Sequence, residues 1–386
     1  MKVWHFSEMA YPHLPEPEEY ESIRNTLPNK YYDPALGADL YHRLLDEWQV
    51  ADELGIDIMV NEHHQTPTCV NPCSPLIVGI LARTTKKARL LILGNPIANR
   101  SQPMRVAEEM AMIDVISRGR LECGFVRSVP YEVSAGNSNP VRMNERMWEA
   151  HDFTIKAWTT HDGPFSFEGE FFHHRLVNLW PRPYQQPHPP VWISSTSVPG
   201  ARTVGEKGYV LAVFLSGYAN TPKVYQSYAE GWKAAGRGQM PLDRLAYSAL
   251  VHVADTDEEA RAGTEKLAWY FTHNKAPMHF KNPPGYVPVA TNVRALKNAH
   301  ISERPADLSL DSLIQQGLIF CGNPDTVYEQ IARFYKHVGG FGNLLAMGQA
   351  GFLGHAETVK SLRLLSSEVM PRLQDLHKPT KAMFAA

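Results

Sequence analysis

The chain has 386 residues, 44% of them apolar, and a formal net charge of −2. That balance suits a substantial α/β core in one large domain or two smaller ones. It gives no basis for binding nucleic acid or an anionic membrane surface, since no basic run exists to meet either. No apolar run reaches the roughly 18 residues of a spanning helix, so no membrane partner is expected. The opening MKVWHFSEMAYPH has no basic stretch leading into an apolar one and does not read as a secretory signal. Cys69, Cys73, Cys123 and Cys321 are too few for a disulfide scaffold and predict reduced thiols in a cytoplasmic protein.

In chain order, residues 2–6 predict a first strand, followed by a proline-rich insertion over 7–38. Apolar spacing predicts a helix over 39–54, stopped by Gly55. Strands follow at 57–61 and 89–94, then a helix over 103–117 that opens on Pro103. A strand at 121–125, a helix over 144–159 and a second insertion over 162–188 come next. Strands at 191–195, 210–215 and 245–253 alternate with helices over 222–235 and 257–273. A third insertion covers 275–310, Asn323 and Pro324 open a helix that stops at two glycines, and a strand at 343–347 precedes a last helix over 355–370. Eight strands alternating with helices predict a (β/α)8 TIM barrel, read as a single domain over 1–386 with its insertion loops at the C-terminal face of the strands. A doubly wound sheet would want a glycine-rich turn after the first strand, where this chain has SEMAYPHLPEPEEY.

In such a barrel the active site forms at the C-terminal strand ends. Those ends carry His5, Ser7 and Glu8; Asn61, Glu62, His63 and His64; Gly94 and Asn95; Arg127 and Ser128; and Ser195, Thr196 and Ser197. On an extended chain the adjacent His63 and His64 point to opposite faces, so no shared metal ion is expected. His63 in the barrel mouth is the candidate for chemistry, and His64 and Glu62 read as hydrogen-bonded supports. Arg127, just past a strand, can fork two phosphate oxygens. The run WISSTSVPGA can hold an anion at a helix N-terminus, or simply cap that helix.

Three stretches together resemble the bacterial luciferase-like family of flavin-dependent monooxygenases. They are EHH after the second strand, LGNPIANRSQPMRVAEEMAMIDVISRGRLECGFVR, and GNPDTVYEQIARFYKHVGGFGNLLAMGQAG followed by EVMP. The resemblance implies a barrel that binds FMN, reduced by a separate NAD(P)H:flavin reductase. It implies a C4a-hydroperoxyflavin formed with O2, which oxygenates a small, mainly hydrophobic substrate. It places His63 on the catalytic histidine, and Arg127, Arg146 and the Ser195–Ser197 turn on the phosphate. It places Gly94-Asn95 where the family commonly has a cis peptide under the flavin ring. Ser128 stands where the family often has glycine and is expected to donate to the phosphate; Val126 replaces the luciferase cysteine. Trp4, His5, Met9, Tyr11, His279 and Tyr286 are expected to line the substrate pocket, with the third insertion excluding water. The resemblance also implies a homodimer or homotetramer. An F420-dependent hydride-transfer enzyme of the same barrel and a non-catalytic flavin-binding protein are the alternatives.

Overall fold

The computed structural model describes residues 1–298 and 305–377. Eight parallel strands form a closed ring: β1 (Lys2–Ser7), β2 (Asp57–Val60), β3 (Leu90–Asn95), β4 (Leu121–Phe125), β5 (Val191–Ser194), β6 (Val210–Phe214), β7 (Leu245–Val253) and β8 (Asn343–Gln349). The seam is explicit in the register. Tyr247 of β7 lies opposite Val213 of β6 on one side and Leu344 of β8 on the other. β1 then joins β8, with Trp4 opposite Leu345.

Alternation along each strand builds two apolar layers, as a barrel requires. Trp4, Phe6, Met59, Leu91 and Leu93 point inward. Val3, Ile58, Val60, Leu90 and Ile92 pack outward against the helices. At the centre the rings of Trp4 and Trp192 meet edge-on, 5.4 Å apart, and the Trp4 indole donates to Asn343 Oδ1 at 3.2 Å. Each such side chain contributes about 1.5–3 kcal/mol on burial.

The helices follow their caps. The helix Pro34–Glu53 begins before residue 39 because Asp33 Oδ1 accepts from Ala35 N at 2.7 Å and Pro34 suits the first turn. Asn323 caps Pro324–Val338 as expected, accepting from Thr326 N at 3.0 Å. Two of the elements that were not anticipated lie in the barrel itself. The helix Ser74–Thr84 is one. The other is a ninth strand, Ile319–Gly322, which pairs with the end of β7 beyond the reach of β6. At four residues that strand is too short to carry a periodic signal.

The first insertion holds a short helix, Ile23–Thr26, and Ser22 Oγ donates to Lys275 O of the third insertion at 2.9 Å. The second contains an antiparallel hairpin, Phe165–Glu168 with His173–Val177. Within it, Gln185 Nε2 donates to Leu121 O at the start of β4, at 2.7 Å. The third carries helices Met278–Lys281 and Val289–Asn298; its residues 299–304 lie outside the described residues. Among the described residues no helix is long and apolar enough to cross a membrane.

Candidate active site

The strands deliver their last inward side chains to one end of the ring. Phe6, Leu93, Phe214 and Met347 floor a cavity of about 800 Å³, within the roughly 300–1,000 Å³ of cofactor and substrate sites. The walls are more polar. They come from the segments after β2, β4 and β5 and from the first and third insertions.

His63 stands in one wall between two carboxyl groups. Its Nδ1 is 3.3 Å from Glu132 Oε1 and its Nε2 is 3.7 Å from Glu8 Oε1. Buried Glu132 is the hub: it also accepts from the His64 backbone N–H at 2.7 Å and from Ser128 Oγ at 2.7 Å. Burial works to raise the Glu132 pKa, but the hydrogen bonds from His63, His64 and Ser128 outweigh it and hold the group well below the usual carboxylate range. A carboxylate only accepts, so a neutral His63 carries its proton on Nδ1 and leaves the Nε2 lone pair toward Glu8. For Glu8, burial pushes the carboxyl above the usual range against the opposing pull of His63 and Arg24.

The two histidines do not part to opposite faces. The strand ends at Val60, and both rings reach Glu132 Oε1, His64 Nδ1 at 3.6 Å. The Nε2 of His64 turns instead to Glu62 Oε1, at 3.3 Å. Hydrogen bonds to Glu132 and Glu62 raise the His64 pKa to about 9 against the effect of burial, so it is a cation at neutral pH. Glu62 is hydrogen-bonded, as expected: it accepts from Ser74 N and Oγ at 2.9 and 2.7 Å and pairs with Arg100.

A second pole lies across the cavity lining. The Arg127 guanidinium sits 3.8 Å over the Tyr286 ring and donates to Tyr286 O at 3.3 Å. Ser195, Thr196 and Ser197 line the cavity and open the ten-residue helix Val198–Lys207, with Ser197 Oγ accepting from Gly200 N at 3.2 Å. Ser128 takes φ +93°, a conformation that favours glycine, so the glycine the resemblance suggests at this position has a backbone reason. Its hydroxyl is committed to Glu132 rather than free for a phosphate.

Gly94 lines the cavity, and a Cβ there would come within 2.3 Å of Val126 Cγ1. The cis peptide joins Leu93 to Gly94, one residue before the expected bond. Asn95 does not line the cavity; its carbonyl accepts from Val126 N at 3.0 Å. Arg146 is likewise outside the lining: it donates to Ala98 O at 2.8 Å and Arg100 O at 3.1 Å and lies over Phe172. His5 alternates with Trp4 and Phe6, so it faces the helix layer, where burial lowers its pKa to about 4. Trp4 sits deeper, in the barrel core. Met9 and Tyr11, within the first insertion, are buried: Met9 O accepts from Val70 N at 2.9 Å and the Tyr11 hydroxyl accepts from Asp33 N at 3.0 Å. His279 is exposed, its ring tilted against Phe280 with centres 4.3 Å apart. Of the expected substrate contacts, only Tyr286 lines the cavity.

Arg24, Tyr131, Tyr270 and Asn274 are among the lining residues that escaped the sequence reading. Glu132, which supports the wall from behind, escaped it too. An acidic residue five positions past Arg127, on the same strand-end loop, was the available signal for Glu132. Nothing local marks Arg24 in ESIRNTL.

Residues 25–340 match the family described as luciferase-like monooxygenase. The chain is 25% identical over 354 residues to 2,5-diketocamphane 1,2-monooxygenase 1 of Pseudomonas putida, covering 84% of this chain and 92% of that one. It is 28% identical over 252 residues to the oxygenase component of a flavin-dependent trigonelline monooxygenase of Acinetobacter baylyi, covering 63% of this chain and 67% of that one. Its fold is similar to the oxygenating constituent of 3,6-diketocamphane monooxygenase from Pseudomonas putida, a type II Baeyer-Villiger enzyme solved with FMN. There the TM-score is 0.71 at 22% identity, covering 87% of this chain and 93% of that one. A match over most of its length, on a barrel whose polar residues gather at the C-terminal mouth, makes this chain a member of the luciferase-like monooxygenase family.

Proposed function

We propose that this chain is the oxygenase component of a two-component flavin system. It takes reduced FMN from a separate NAD(P)H:flavin reductase and transfers one atom of O2 to a small organic substrate. The observation that carries this reading is one cavity holding both an anion pole and a histidine fixed by a buried carboxylate. The names of the relatives, flavin-dependent oxygenases among them, support it.

The residues present suit FMN. Arg127 and the first turn of Val198–Lys207 would hold its phosphate with charged and backbone donors. Gly94 lets the lining residue Val126 pack close against the cavity floor, and the volume accommodates cofactor and substrate together. When bound, reduced FMN supplies the activation of O2 and the oxygen atom transferred. The protein's own contribution is positional and protic. Glu132 fixes the His63 ring, so that Nε2 can take or return a proton as general base or acid. Phe6, Leu93 and Phe214 keep the floor dry.

Arg127→Ala is expected to weaken FMN binding by about 1.5–3 kcal/mol, read by fluorescence quenching on titration. Wild-type affinity in that variant would sink the phosphate assignment. Titration with F420 alongside tests the hydride-transfer alternative, and bound flavin without substrate-dependent oxygen uptake would mark a carrier instead of an enzyme.

The reading includes a cytoplasmic homo-oligomer. Leu76 and Ile80 on Ser74–Thr84, with Met112, Val115 and Ile116 on the neighbouring Pro103–Ile116, leave apolar side chains exposed, as an interface between copies would. The double substitution Leu76→Asp, Met112→Asp is expected to convert a dimer or tetramer to monomer in light scattering. A monomeric wild type would overturn this assignment.

A further inference from the structure

Arg24 is a buried charge with no role in the histidine wall or the Arg127 pole. The first insertion carries it into the cavity wall, where the residue is 8% exposed. Its guanidinium donates to Asn274 Oδ1 and, at 2.9 Å, to the Tyr131 hydroxyl, and it lies 4.6 Å from the Tyr131 ring centre. These partners, and Tyr270, which also hydrogen-bonds the guanidinium, are neutral. Its Nε has no partner, and no carboxylate among the described residues lies within 4.0 Å of it. Glu8, the nearest acidic group to act on it, pairs with Asn61 and faces His63 instead. Buried guanidinium groups are ordinarily matched by an anion, because desolvating an unmatched charge is costly. The other cavity arginine, Arg127, stacks on Tyr286 by the Ser195–Ser197 turn and has its own use in the phosphate pole.

The position is informative as well as the charge. Tyr131, on which Arg24 rests, has its ring centre 6.3 Å from that of His63. An anion on Arg24 is therefore one aromatic ring away from the candidate acid–base group. The apolar floor of Phe6, Leu93 and Met347 belongs to the same cavity.

We infer that the substrate is an organic acid whose carboxylate docks on Arg24, flanked by Tyr131 and Asn274, while its apolar body lies over the cavity floor toward His63. This rests on the oxygenase reading and narrows the hydrophobic substrate to an amphiphilic one. Arg24 is a specificity residue, separate from the cofactor's phosphate pole. The guanidinium fork suits a carboxylate and discriminates against the uncharged amide of the same shape.

The test compares matched pairs, benzoate with benzamide, cinnamate with cinnamamide and octanoate with octanamide. Binding to the full chain is measured by calorimetry with and without saturating FMN. Wild type is expected to favour the acid in at least one pair by about 10- to 100-fold. Arg24→Gln should bring that ratio near one while FMN affinity stays at the wild-type value. Asn274→Asp supplies a carboxylate from the protein itself and should abolish the preference with the fold intact; Arg24→Lys should keep part of it. No acid preference in any pair, or a preference that survives Arg24→Gln and Asn274→Asp, overturns the inference. A loss of FMN affinity in Arg24→Gln matching that of Arg127→Ala also overturns it, by assigning Arg24 to the cofactor. Failure of wild type to bind FMN removes the oxygenase reading alone, since the acid–amide comparison is also made without flavin.

Discussion

Product formed per reduced FMN is expected to fall about 100- to 10,000-fold in His63→Ala, with FMN still bound. The reason is geometric. Glu132 holds Nδ1 at 3.3 Å, and alanine leaves nothing at the position of Nε2 to move a proton. Incorporation of labelled oxygen, read by mass spectrometry, separates lost transfer from lost binding. Unchanged yield in the variant removes His63 from the chemistry.

Glu132→Ala has the largest expected effect on stability, a loss of about 3–5 kcal/mol in urea unfolding. It strands the His63 ring, the His64 backbone N–H and the Ser128 hydroxyl in a buried wall. The pH dependence has a definite sign. The folded-state pKa of Glu132 is lowered, so its contribution is complete above the unfolded carboxylate value of about 4.3 and is lost as pH falls through that value toward the folded one. The gap between wild type and variant should therefore narrow in acid. A gap that is small at neutral pH, or that widens as pH falls, contradicts the hub role.

The barrel was legible because its strands are buried on both faces and read as nearly continuous apolar runs, as 90–95 does. His63, Arg127 and the Ser195–Ser197 turn were legible because strand ends locate a barrel's mouth. The errors also have physical sources. His5 was placed in the pocket by nearness in sequence, but a strand alternates and its parity sends the ring outward. Arg146 sits on a helix beside the lining residue Met147, yet its guanidinium is used on two backbone carbonyls. Ser128 looked like a phosphate donor until its hydroxyl was found on Glu132. Arg24 and Asn274 are 250 positions apart in the chain, and no local pattern reports a contact of that span.

The seam of the ring has a consequence for how the protein is made. β1 pairs with β8, so the first strand waits for the last. Until then a nascent chain carries an open, apolar strand edge, the kind of surface that recruits neighbouring chains. The wall over the mouth has the same two-ended origin, since Ser22 is tied to Lys275 and Arg24 to Asn274. On the proposed flavin reading, a ribosome-stalled fragment ending before β8 should hold no FMN.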